Sequence, residues 1–204
     1  MESIVCSERD PRDIYRILIG CIGPRPIGWI STISKEGKFN LAPYSFFNMF
    51  SMNPAIIGFS AAIKRDMTHK DSLRNAKETQ CFVHNVVTQD LIEPMNSSSE
   101  EFPHGVSEFE KVGLTPMASI KVKAPRVKEA ALSLECQVTN IVSLGEAAGN
   151  GQLVLGEVVM IHIHRPEILA DDHFIDSKKL ELVSRIGRTD YMGFGEVITM
   201  KRPF

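Results

Sequence analysis

The 204-residue sequence predicts a single, mainly β domain with peripheral helices. Three observations lead there. Short apolar or alternating runs, bounded by Gly, Pro, Asn and Ser, recur along the chain as strands do. Helical periodicity is confined to brief stretches between them. Neither a regular strand–helix alternation nor a Gly-x-Gly-x-x-Gly appears, which argues against a Rossmann domain.

Composition narrows the function classes. Apolar residues make up 43% and charged residues 24%, ordinary for a soluble globular chain. A formal net charge of −2 offers no electrostatic argument for nucleic acid or an anionic membrane, and no basic stripe with interleaved aromatics appears. No apolar run is long enough to span a bilayer. Met1 to Asp10 lack the basic and apolar regions of a signal peptide. Cys6, Cys21, Cys81 and Cys136 are widely spaced and form no Cys-x-x-Cys, so a reducing, cytoplasmic location is expected. Cys81 and Cys136, in apolar runs, read as buried free thiols.

In chain order, Asp10-Pro11 followed by Asp13, Ile14, Ile17 and Leu18 predicts a helix capped by Asp10 and stopped at Gly20. Cys21 to Gly28 is a connection punctuated by Pro and Gly. Trp29 to Ser34 and Phe39 to Tyr44 flank a turn containing Gly37 and read as a hairpin. Between Phe46 and Asn53 no period fits, and Phe46, Phe47, Met49, Phe50 and Met52 read most simply as core filler. Ala55 to Ala61 is continuously apolar, a buried strand. Asp71 is the expected N-cap of a helix carrying Leu73, Ala76 and Lys77. Cys81 to Val87 reads as a strand, and Thr88 as the cap of a helix through Met95. Asn96 to Gly105 has no period and reads as a lid-like segment; Ser107 to Val112 reads as a helical turn. Strand patterns return at Ile120 to Lys123, Ala131 to Leu144 and Leu153 to His164, the last two joined by a loose hairpin through Gly145 to Gly151. Lys178 to Arg188 has a short helical pattern ahead of a Gly-rich tail. No repeat or linker divides residues 1–204.

Residues 40–85 carry the chemistry. Two apolar runs end in the hydroxyl residues Ser45 and Ser60, and Lys64, Arg65 and Lys70 precede the helix at Asp71. Hydroxyls, ammonium groups and a helix N-terminus together suit a phosphate. The plain alternative is two core strands joined to a surface helix by a solvated, charged loop. An irregular strand around Pro43 can present backbone donors and acceptors to a flat ring. Among rival chemistries, His162 and His164 share one strand face at a spacing that can hold a metal, with His173 and Asp171 or Asp172 as further ligands, but strand histidines at a surface are common and no metal is predicted. A hydrolase has less support: there is no Gly-x-Ser-x-Gly, and Cys136 has no recognisable partner.

A resemblance runs along nearly the whole chain. Trp29-Ile-Ser-Thr, Gly37-Lys-Phe-Asn-Leu-Ala-Pro-Tyr-Ser-Phe-Phe, Asn53-Pro-Ala-Ile-Ile-Gly-Phe-Ser and Lys70-Asp-Ser-Leu-Arg-Asn carry it in the first half. Ser107-Glu-Phe-Glu-Lys-Val-Gly-Leu-Thr, Lys123-Ala-Pro-Arg-Val, Leu134-Glu-Cys, Gly156-Glu-Val-Val and Arg185-Ile-Gly-Arg-Thr-Asp-Tyr carry it in the second. In this order they resemble the flavin reductase-like, FMN-binding split-barrel family.

That resemblance implies an antiparallel split β-barrel of Greek-key type and a homodimer with the cofactor near its interface, where the tail can reach the partner's site. It implies FMN, with FAD disfavoured because the segment from Ser97 to Thr115 and the tail after Arg165 are placed to cap the flavin. NADH or NADPH is the implied hydride donor; free flavin, a partner oxygenase or another small acceptor receives the electrons. The cofactor-binding positions carried over are Ser31, Thr32, Ser45, Phe46, Phe47, Asn48, Ser60, Ala61, Arg65, Lys70, Asp71 and Ser72. No acid–base residue stands out, since the cofactor itself carries the hydride chemistry. Two other readings stay open: an FMN protein without nicotinamide reductase activity, acting as an electron carrier or on another substrate, and a cofactor-free structural or regulatory dimer. The basic segment from Lys64 to Lys70 argues against the last.

Overall fold

The structure, a computed structural model, describes residues 1–103, 105–201 and 203. Strands β1 (Arg25–Pro26), β2 (Gly28–Ile33), β3 (Phe39–Tyr44), β4 (Phe47–Ser51), β5 (Ile56–Ala62) and β6 (Cys81–Asn85) occupy the first half. The second half holds β7 (Pro116–Met117), β8 (Arg126–Val127), β9 (Leu132–Ser143), β10 (Gly151–Ile163), β11 (Ser184–Ile186) and β12 (Asp190–Met192). Helices are α1 (Pro11–Cys21), α2 (Asp71–Thr79), α3 (Ile92–Ser97) and the single turns α4 (Glu108–Lys111) and α5 (Ser177–Leu180).

The principal sheet is antiparallel, with seven strands in the order β3-β2-β6-β9-β10-β5-β4. Its terminal strands, β3 and β4, are consecutive in sequence. The sheet therefore curls until its two ends meet, and Ser45 and Phe46 span the split covalently. The Ser60 N–H donates to Phe46 O (2.8 Å), extending the β4–β5 ladder by one pair beside the split.

The two faces of β2 show why this curl is stable. Strand side chains alternate, so Ile30 and Thr32 point inward while Trp29 and Ser31 point outward, and all four are fully buried. The inner core gathers Ile30, Tyr44, Phe59, Phe82, Cys136 and Val154 around Leu73 and Ala76 of α2. The outer core gathers Trp29, Leu41, Met95 and Phe109 beneath α3 and α4. Each large apolar side chain so enclosed contributes about 2–3 kcal/mol. Close approach is needed once at the centre: a Cβ on Gly156 would lie 2.5 Å from the Phe82 ring.

Most expected elements are present, with instructive differences. Asp10 caps α1 through its carboxylate and the Arg12 N–H (2.8 Å), but the helix runs past Gly20 to Cys21. The 29–44 hairpin forms, and Gly37 turns it at φ +83°. Of the expected core filler, Phe47 packs against the inner core, but Phe46, Met49, Phe50 and Met52 are exposed on or beside β4. The helix expected from Thr88 to Met95 opens as a 3-10 turn, Gln89–Leu91, and continues as α3. The expected strand at Ile120 to Lys123 is absent, because its N–H groups bond a carboxylate instead of a neighbouring strand. The N–H groups of Ile120, Lys121 and Val122 donate to the Glu135 carboxylate at 2.8, 2.6 and 3.1 Å. The helical pattern at Lys178 to Arg188 yields only α5, since the following residues pair as β11 and β12, with β11 also bonded to β1. Cys81 and Cys136 are buried free thiols, as expected; Cys6 and Cys21 are exposed. Position 104, within the expected lid-like segment, lies outside the described residues.

Glu135 is fully enclosed and also meets His162 Nε2 at 2.5 Å. Burial alone would raise its pKa, but the three N–H donors and His162 outweigh it and hold the carboxyl below its ordinary range. On the inner face His84 stacks on Phe47, ring centroids 4.4 Å apart, and burial lowers its pKa from 6.5 to about 3. Both shifts act in one direction: the unfolded chain takes up protons that the folded protein refuses, so stability falls as pH drops. Urea unfolding is expected to show stability declining from about pH 6.5 downward, as an unfolded histidine begins to titrate. Glu135→Gln, which turns an amide NH2 toward N–H donors, is expected to cost about 2 kcal/mol at neutral pH, with the difference from wild type shrinking in acid. A pH-independent difference would remove Glu135 as the anchor of the 120–122 loop.

Candidate cofactor-binding site

The site is built outward from the start of α2. After β5, Lys64 N–H donates to Thr68 O and Met67 N–H to Lys64 O, while the Asp66 carboxylate accepts from Thr68 N–H and Oγ. This turn folds Lys64 back toward Lys70. Lys70 is the N-cap residue and makes no side-chain cap; Asp71, the expected cap, is instead the first helical residue. The first-turn N–H groups of a helix have no intrahelical acceptor, which makes this end positive in potential.

A seam of buried polar pairs fixes the helix on the hairpin. Asn75 Nδ2 donates to Thr32 Oγ1 (3.0 Å). One turn earlier, the amide orientation that satisfies its surroundings has Asn40 Oδ1 accepting from Ser72 Oγ (2.8 Å) and Asn40 Nδ2 donating to Glu108 (3.3 Å). Glu108 also accepts the Leu41 N–H (2.8 Å), and burial pushes its carboxyl pKa up.

Above this seam lies a small polar cavity of about 100 Å³. Asn40 and Ala42 to Tyr44 of β3, Lys64 and Lys70 to Ser72 at the start of α2, residues 98–102 and Glu108 line it. Among the described residues neither lysine is in an ion pair. Burial lowers the Lys70 pKa, and its ammonium sits 5.6 Å from the centre of the Tyr44 ring. Tyr44 is 5% exposed, and among the described residues its hydroxyl makes no hydrogen bond of good geometry; burial pushes its pKa well up, against a smaller lowering by the nearby Ser72 hydroxyl, so the phenol stays protonated. The cavity thus holds two ammonium groups, a helix N-terminus and an unused O–H donor. That donor set fits an anion such as a phosphate.

A second, apolar cavity of about 610 Å³ begins one residue further along the chain. Tyr15, Leu18 and Ile22 of α1 face Phe46 and Phe47 across it, and Ser45 and Asn48 complete the near wall. Tyr44 and Ser45, consecutive in the chain at the barrel's split, line the polar and the apolar cavity respectively. A flat apolar group joined to an anion matches their sequence of chemistries.

The residues predicted for the cofactor divide among several places. Lys70, Asp71 and Ser72 line the polar cavity, and Ser45, Phe46, Phe47 and Asn48 the apolar one. Ser31 faces outward and donates to Pro125 O, while its hydroxyl oxygen accepts from Asn85. Thr32 belongs to the seam, and Ala61 is enclosed in the inner core. Ser60 is half-buried against Gly151, and Arg65 is exposed outside both cavities. Sequence reasoning did not single out Asn40, Tyr44, Glu108 or the α1 residues. For α1 the sequence signal is a run of apolar residues, Tyr15, Ile17 and Leu18, continued by Ile22 after the helix; in the structure these are exposed and Ile19 is the buried residue of the helix. His162 is engaged by Glu135, and His164 Nε2 lies 3.4 Å from Arg126 Nη1. Among the described residues no three His, Cys, Asp or Glu side chains are grouped to hold a metal, and no helix is long and apolar enough to cross a membrane.

Comparison with known proteins decides the family. The model of the flavin reductase like domain matches residues 21–174. The chain belongs to this family. An uncharacterized protein of Aquifex aeolicus is 40% identical over 197 residues, covering 96% of this chain and 97% of its own. Nitrilotriacetate monooxygenase component B from Bacillus cereus superimposes with a TM-score of 0.92 at 33% identity, over 98% of each chain. The 2-nitrobenzoate 2-nitroreductase of Pseudomonas fluorescens superimposes with a TM-score of 0.88 at 27% identity, over 99% of this chain and 96% of that one. The curled sheet is thus the antiparallel split barrel of flavin reductase-like proteins.

An unpartnered buried hydroxyl is a cost to the ligand-free fold. Tyr44→Phe is therefore expected to leave the ligand-free flavin reductase-like domain as stable as wild type, or more stable by up to about 1 kcal/mol. Chemical denaturation measures this, and a loss of stability would mean that the hydroxyl has a partner in the fold.

Proposed function

We propose that this chain is an FMN-binding oxidoreductase that accepts a hydride from NADH or NADPH and passes the electrons to free flavin, a partner oxygenase or another small acceptor. Membership of the flavin reductase-like family supports the flavin and the class of chemistry. The observation that carries the reading is a pair of cavities lined by the consecutive residues Tyr44 and Ser45: a polar one at the start of α2, whose lysines are in no ion pair among the described residues, and an apolar one lined by Phe46 and Phe47.

The assignment of parts follows from their chemistry. Lys64, Lys70 and the first-turn N–H groups of α2 hold the phosphate, and Tyr44 adds an O–H donor. Ser45 to Asn48 present backbone groups and aromatic faces to the ring, and α1 shields it from water. When bound, FMN supplies the two-electron chemistry; the protein orients it and leaves one face open. The small volume of the polar cavity and its wall at 98–102 favour a terminal phosphate over the dinucleotide extension of FAD. A cytoplasmic homodimer completes the reading: Tyr15, Leu18, Phe46, Phe50 and Met52 form the exposed apolar surface that a second copy would cover.

Two outcomes are expected. In an anaerobic titration of FMN-loaded protein, NADH or NADPH bleaches the oxidised-flavin absorption promptly; a yellow protein that neither reduces would end the reductase assignment. Lys70→Ala weakens FMN binding by about tenfold or more, since a charge-assisted phosphate contact is lost, while riboflavin binding changes little. Equal loss for both ligands would move the phosphate elsewhere.

A further inference from the structure

The wall of the polar cavity opposite α2 has the wrong polarity for a phosphate clamp. Residues 98–102 line the cavity, yet the hydroxyl and N–H donors of residues 98–100 are spent on carbonyls of their own segment. Ser98 Oγ donates to Met95 O (2.7 Å) and Ser99 Oγ to Asn96 O (2.6 Å), at the end of α3. The N–H groups of Ser98, Ser99 and Glu100 are likewise engaged, with Pro94, Asn96 and Ser97 carbonyls. Trp29 Nε1 donates to Ser98 Oγ (2.9 Å) and fastens this arrangement to the outer core. The segment brings to the cavity two carboxylates, Glu100 and Glu101.

Four carboxyl groups thus surround a cavity with two ammonium groups. Their situations differ. Asp71 is paired with Arg74 (3.3 Å), and Glu108 is buried and takes the Leu41 N–H. Glu100 and Glu101 are exposed, and among the described residues neither is in an ion pair; the charge of Glu101 is felt at Lys70. The buried, unpartnered Tyr44 hydroxyl in the same cavity independently marks it as a ligand site.

Resting on the FMN reading above, we propose that Glu100 and Glu101 form an acidic lid that opposes the flavin phosphate and sets how readily flavin leaves. The lysines and the α2 N-terminus attract the phosphate dianion, and the lid carboxylates repel it across the same small space. Flavin then binds as an exchangeable ligand and not as a locked prosthetic group. Because both carboxylates are exposed, the effect is screened by salt and moderate in size.

The test compares FMN with riboflavin, which has the ring and lacks the phosphate, on wild type and on the Glu100→Gln, Glu101→Gln double variant. Affinity and dissociation rate are read by flavin fluorescence at low and at physiological ionic strength. The expected result is FMN binding about fivefold tighter in the variant, with slower FMN release, a gap that narrows with salt and unchanged riboflavin affinity. FMN affinity that is unchanged or weaker in the variant, or an equal gain for riboflavin, would overturn the lid proposal while leaving the flavin reading intact. Wild type that binds neither ligand would overturn the flavin reading and the lid with it.

Discussion

The buried polar seam between α2 and the β2–β3 hairpin is the constraint on which the site depends. Thr32 with Asn75, and Asn40 with Ser72 and Glu108, sit where apolar packing would be adequate for stability alone. Apolar contacts such as Leu73 and Ala76 against Phe59 and Phe82 hold the helix down but are not directional. Hydrogen bonds at two successive turns fix its rotation and its height along the hairpin. They set the first turn of α2, and so Lys70 and the first-turn N–H groups, beside β3.

The second organising fact is topological. β3 and β4 follow each other in sequence yet lie at opposite ends of the sheet. The few residues joining them must cross the place where the barrel fails to close with a continuous ladder. A closed ladder would use these backbone groups for its own hydrogen bonds; an open one leaves them for something else. Tyr44 and Ser45, at this split, line the polar and the apolar cavity respectively.

Charge distribution adds a tension that apolar packing does not. The lining includes lysines and the start of α2 on one side of the charge balance and the carboxylates of Glu100 and Glu101 on the other, while Ser98, Ser99 and the Glu100 N–H spend their donors at the end of α3. The α3 cap and the cavity compete for the same few donors at Ser98 and Ser99, and the cap has taken them.

Strand periodicity, the Asp10-Pro11 helix start, the Gly37 turn and the basic approach to α2 were all legible in the residues, because each rests on neighbours a few positions apart. The missed features depend on distant partners. Ile120 to Lys123 has the composition of a strand, but its N–H groups meet Glu135 on another strand. Lys178 to Arg188 has a helical pattern, but β1 offers a strand edge that captures its second half. Phe46 to Met52 reads as core because apolarity alone cannot say whether its cover is the same chain. The sequence by itself determined the β-rich class, the family and the basic, hydroxylated character of residues 64–72, since these follow from local pattern and residue type. Tertiary structure alone decided which hydroxyls are spent inside the fold, as at Ser31, which are left unpartnered, as at Tyr44, and which carboxylates face the lysines. Those outcomes turn on what lies across the sheet, and no local pattern encodes that.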